Sequence, residues 1–142
     1  MQNPKITEKY RSQLEKALGH LSYSYKKIGT LGTDPQTLQD AELEVWESFS
    51  SRFARVVDIY LTKFVRAVVQ ANDPGFRGVL RDYVNQGEKL GILVDADSWM
   101  DLRELRNIEA HTYAEELQVF LEKLRLHAPR LLALKVNNAS QP

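Results

Sequence analysis

Apolar residues recur at steps of three and four along most of the chain, the spacing that puts them on one face of a helix. Tyr10, Leu14, Leu18, Leu21, Tyr25 and Ile28 predict a first helix. Asn3-Pro4 opens it with a cap and a proline at the first helical position, and Gly29 stops it before a loop from Thr30 to Pro35. Between Pro35 and Pro74 there is neither Gly nor Pro. Trp46, Phe49, Phe53, Val56, Val57, Tyr60, Phe64 and Val68 then describe one long amphipathic helix. The turn Asn72-Asp73-Pro74-Gly75 follows, and Phe76, Val79, Leu80, Tyr83, Val84 and Leu90 predict a shorter helix closed by Gly91. Asp95, Asp97 or Ser98 can cap the next, whose core side holds Trp99, Leu102, Leu105 and Ile108.

Thr112 and Glu115 have capping-box spacing, which ends one helix near His111 and begins another at Tyr113. Leu117, Phe120, Leu121 and Leu124 form its stripe, with a kink or restart at Pro129. No useful segment alternates with period two. The expected fold is all-α, an up-and-down four-helix bundle with one or two extra short helices. A single helical domain over 1–136 and a flexible tail over 137–142 complete that expectation.

The 142 residues are 43% hydrophobic and 27% charged, values that suit a packed soluble domain rather than a disordered chain. No apolar run approaches the roughly 20 residues of a membrane-spanning helix, and the first residues lack a signal-peptide stretch, so the expectation is a cytoplasmic protein without a membrane partner. Cysteine is absent, which removes disulfides, thiolate nucleophiles and Cys-held metals. Nineteen Lys and Arg balance nineteen Asp and Glu. Neutrality argues against nucleic-acid binding by bulk charge. The balance is nevertheless uneven: residues 1–30 carry six bases and two acids, residues 52–66 four bases and Asp58, and 34–47 five acids and no base. These runs read either as solvated faces or as a basic groove for an anionic ligand.

The stretch from Leu102 to Tyr113 carries the most chemistry. On a helix Asn107 and His111 are four apart and share a face, and Arg106 and Tyr113, seven apart, nearly eclipse. Arg offers a permanently charged fork for two phosphate oxygens, Asn can orient a hydroxyl or the imidazole, and His transfers protons near neutrality. RNA cleavage through its own 2′-hydroxyl needs a base, an acid and charge stabilisation, and no metal in principle. One His cannot easily be base and acid at once, so a two-fold dimer that apposes two copies belongs to this reading. The same residues also suit a salt bridge, a helix cap and a half-buried aromatic.

Arg106-Asn107-Ile108-Glu109-Ala110-His111-Thr112-Tyr113 resembles the Arg-x4-His-x-Tyr signature of the HEPN superfamily. More narrowly, Ser51-Arg52-Phe53, the turn Asn72 to Gly75, Gly87-Glu88-Lys89-Leu90-Gly91-Ile92-Leu93, Trp99 and the closing motif resemble the nucleotidyltransferase substrate-binding protein family, over roughly residues 40 to 125. The resemblance implies a homodimeric four-helix bundle encoded beside a small, separate nucleotidyltransferase with which it associates. Related proteins act as toxins that cut RNA without metal and are silenced when that partner adds AMP to the motif tyrosine. Carried over, Arg106 and His111 are the nuclease pair, Asn107 the supporting polar residue and Tyr113 the modification site. Arg52, Arg55 and Arg103 are candidate phosphate contacts beside them. The chain departs from the family pattern at Ala54 and at Leu61-Thr62-Lys63, so no contact of the second helix is carried over.

Three functions follow: a subunit that binds nucleotide or RNA for a partner nucleotidyltransferase, a metal-independent ribonuclease toxin, and a purely structural dimer. No cofactor is expected. His20 and His127 have no second ligand at metal-site spacing and suit surface or cap roles. Trp46 and Trp99 lie on apolar faces and suit core or interface anchors better than base-stacking platforms.

Overall fold

The computed structural model describes residues 4–105 and 113–134. Six α-helical segments lie in this range: α1 (Pro4–Ile28), α2 (Asp40–Asp58), α3 (Arg66–Asn72), α4 (Leu80–Lys89), α5 (Ala96–Glu104) and α6 (Ala114–Leu132). None of the described residues is in a strand. The chain is therefore an all-α bundle with extra short helices, as the periodicity predicts. The tail over 137–142 lies outside the described residues.

α1 ends where its pattern says. Gly29 adopts φ of +43°, a left-handed conformation that favours glycine, and its N–H bonds the carbonyl of Tyr25. The buried face is rotated from the predicted stripe: Arg11, Leu14, Ala17, Leu21, Ser24 and Ile28 are buried, whereas Tyr10, Leu18 and Tyr25 are half-buried. Arg11 joins that face because its guanidinium pairs with Glu8 and lies 5.9 Å from the Phe64 ring centre.

The predicted long helix is continuous in direction of the chain but not in winding. A π-helical segment, Ile59–Val65, joins α2 to α3. Its wider i→i+5 winding lets Ile59, Tyr60 and Leu61 all bury, followed by Phe64 and Val65. α4 packs closely here: a Cβ on Gly87 would stand 3.0 Å from Val65 Cγ1, so the glycine admits the neighbouring helix.

Helix starts differ from the sequence expectation in two places. Phe76 and Val79 precede α4, because the Asp82 carboxylate accepts the Val79 N–H at 2.9 Å and sets Leu80 as the first helical residue. α6 begins at Ala114 with Tyr113 as its N-cap, but the Tyr113 side chain makes no cap bond; Thr112 of the expected capping box lies outside the described residues. Of the three cap candidates for α5, Asp95 holds the position, with φ of +64° and its carboxylate accepting the Ser98 N–H at 3.2 Å. No restart occurs at Pro129. α6 runs through it to Leu132, with Ala128 and Leu131 buried on either side of the missing N–H.

The core is one cluster drawn from α1, α2, the π segment, α3, α4, α5 and α6. Trp46 and Trp99 are buried in it. An aromatic series runs through α2, with Trp46 and Phe49 edge to face at 5.8 Å and Phe49 and Phe53 at 6.3 Å. Tyr60 meets Trp99 at 4.7 Å, tying the π segment to α5.

Candidate functional site

Arg106, Asn107 and His111 lie outside the described residues, as does Ile108. The structure describes both flanks of the motif. α5 closes at Glu104 with Leu105 as C-cap, and α6 opens one residue after Tyr113. Tyr113 is 71% exposed. Arg103, in the last turn of α5, is half-buried, and its Nε sits out of solvent with no hydrogen-bond partner.

The other predicted phosphate contacts separate into two kinds. Arg52 donates to the Ser24 hydroxyl at 2.8 Å and to the His20 carbonyl at 3.3 Å, and lies 5.8 Å from the Tyr23 ring. It therefore clamps α2 to α1 and is committed to that task. Arg55 is exposed and makes no ion pair among the described residues. It lines a groove of about 630 Å³ between α1 and the α2–π rod.

That groove joins the two basic runs of the sequence. α1 supplies Gln13, Lys16, Ala17 and His20; the rod supplies Arg55, Asp58, Ile59 and Lys63. Ala17 and Ile59 are buried, and the small alanine leaves depth where the two elements meet. Winding brings the cations of the rod together. In an α-helix an eight-residue step overshoots two turns by about 80°. Arg55 and Lys63 are eight apart, and the slower rotation of the π segment returns Lys63 to the Arg55 side.

A second groove of about 510 Å³ lies between Ile6 and Thr7 of α1, Arg66, Gln70 of α3, and the turn before α4. Its arginines and its amide are already engaged. Arg66 covers the Tyr83 ring at 4.9 Å, Gln70 donates to the Tyr83 hydroxyl at 3.1 Å, and Arg77 donates to the carbonyls of Phe76 at 2.9 Å and Pro74 at 3.2 Å.

Sequence reasoning missed the arginines of α6. Arg125 lies 4.9 Å from the Trp46 ring centre and donates to the Leu31 carbonyl, while Arg130 lies 4.5 Å from Trp99 and donates to the Ser98 hydroxyl. The available signal was their position: each adjoins the stripe of Leu124, Ala128 and Leu131, where a long side chain can reach across the core edge. Among the described residues no helix is long and apolar enough to cross a membrane, and no group of three metal-ligating side chains gathers. No family model, no curated protein and no solved structure matches the chain.

Proposed function

We propose that this chain is the partner subunit of a separately encoded minimal nucleotidyltransferase and binds nucleotide or RNA through Arg106, Asn107, His111 and Tyr113 at a homodimer surface. The observation that carries the reading is the Arg-x4-His-x-Tyr spacing at the junction of α5 and α6. Tyr113 supports it by standing exposed at the head of α6, open to a partner's active site. Val119 and Leu126, exposed and seven apart on the outward side of α6, support a second copy as the dimer partner.

Exposure of Tyr113 also favours a second reading, a metal-independent ribonuclease toxin silenced by the partner. The phenol oxygen would attack the α-phosphorus of ATP, pyrophosphate would leave, and the phenolic proton would pass to solvent. The two readings part on expression without the partner. Growth arrest that vanishes in Arg106→Ala and His111→Ala identifies a nuclease; no arrest in the wild type, together with nucleotide binding lost in Arg106→Ala, identifies the binding subunit. Modification is tested by mass spectrometry after incubation with the partner and ATP. Added AMP mass on the Tyr113 peptide, absent in Tyr113→Phe, is the expected result, and an unmodified wild-type peptide overturns it.

A further inference from the structure

We propose that the groove between α1 and the α2–π rod is a second binding site, separate from the motif, for a short linear chain of phosphates such as a di- or triphosphate group. Lys16, Arg55 and Lys63 converge on it from three elements, with His20 beside them and Asp58 as the one acid of the lining. With His20 neutral the lining carries three positive charges and one negative, a net of +2.

These cations are left uncompensated. Arg11 pairs with Glu8 and Arg81 with Asp97, yet among the described residues Lys16, Arg55 and Lys63 make no ion pair, not even with Asp58. Lys63 keeps only a contact with the Tyr10 ring, its Nζ 5.7 Å from the centre. Gathering like charges opposes folding through their repulsion, and a polyanion in the groove reverses that sign. The π segment that rotates Lys63 to the Arg55 side is a winding frequently found at functional sites.

The lining chooses the chemistry of the ligand. It contains no Phe, Tyr or Trp, so it gives a nucleobase no broad stacking platform. Its donors are a guanidinium, two ammonium groups, an imidazole and the Gln13 amide, all suited to phosphate oxygens. At about 630 Å³ the groove is larger than one phosphate fills, and its cations are spread over two walls, so several linked phosphates can meet all of them.

The test is titration of the full chain with inorganic tripolyphosphate by calorimetry at about 0.1 M salt, where exposed charges are not fully screened. Saturable binding is expected, weakened about tenfold or more by Arg55→Gln combined with Lys63→Gln, and tightened by Asp58→Asn, which removes the opposing charge. A merely structural role for Asp58 would not tighten binding. ATP should displace tripolyphosphate. Repeated in a chain that carries Arg106→Ala and His111→Ala, which removes the phosphate contacts of the motif, the titration should still show a saturable site that Arg55→Gln with Lys63→Gln weakens, and this separates the groove from the motif. Absence of tripolyphosphate binding overturns the proposal, as does binding that survives the Arg55→Gln and Lys63→Gln pair in the chain without Arg106 and His111. An oligoribonucleotide without a terminal phosphate that binds as tightly as tripolyphosphate overturns it too, because the groove would then read phosphodiester backbone.

Discussion

The arginines of α6 and the cations of the α1 groove are the same chemistry put to opposite uses. Arg125 and Arg130 lie over Trp46 and Trp99 and donate to Leu31 and Ser98, so each fastens α6 to another part of the bundle. Lys16 and Arg55 stand exposed at a groove with no ion pair among the described residues. A cation over an indole gains from the ring's negative face and from burial of its stem. Cations that face one another across water gain nothing until an anion arrives. The charge count is therefore silent about use; what decides is whether an aromatic platform and an acceptor lie within reach.

The comparison breaks first at its platforms. Trp46→Ala removes the ring under Arg125, the edge contact with Phe49 and the indole N–H bond to the Gly32 carbonyl at 2.9 Å. It should cost about 4 kcal/mol in urea unfolding, within the range for large-to-small core changes. A loss below about 1 kcal/mol would show that the α6 arginine does not depend on its platform.

Alkaline pH probes the other platform. Burial pushes the Tyr60 phenol up to about 12, and the nearby Arg130 charge pulls it down in part. Below about pH 10 both the folded and unfolded phenols keep their protons, so stability does not depend on this group. Between about 10 and 12 the unfolded phenol ionises while the buried one does not, so stability falls as pH rises, by at most about 2–3 kcal/mol. Tyr60→Phe should remove that part of the alkaline decline, read as the difference between the two stability-pH curves. Parallel curves would contradict it.

The smallest effect sharpens the contrast most directly. Arg130→Ala should destabilise by about 2 kcal/mol through its lost ring contact and hydrogen bonds. Arg55→Gln should stay within about 0.5 kcal/mol, as exposed substitutions away from packing do. Equal effects of the two in thermal unfolding would erase the distinction between fastening and groove cations.

Much of the fold was legible because it rests on local rules. The limits of α1 follow from Pro4 and Gly29, and the α5 cap was narrowed to Asp95, Asp97 or Ser98, of which Asp95 holds it. The Trp46 and Trp99 stripes follow from spacing, since a helix must bury its apolar face wherever it packs. The π segment was not legible: Ile59 to Val65 reads as ordinary α-helix, and only packing against α1 and α4 rewards three consecutive buried residues there. The start of α4 was missed because a carboxylate three residues ahead, Asp82, outweighs the apolar pattern of Phe76 and Val79. Of the site, the motif could be read as spacing along one segment, with Tyr113 then found exposed. The groove was one of two readings of the basic runs, and the sequence could not choose it over solvated faces, because its halves are separated by the whole acidic stretch from Asp34 to Glu47.

Periodicity, caps and turn residues thus determined by themselves that this chain is helical, where α1 begins and ends, that the long rod stops at the Asn72 turn, and which motif lies between α5 and α6. Those properties depend on neighbours within a few residues. Tertiary structure alone decided which cations are fastened and which face a groove, and it met the two basic runs across the bundle. Contact between distant segments depends on how helices pack, and neither a net charge of zero nor a local pattern contains that information.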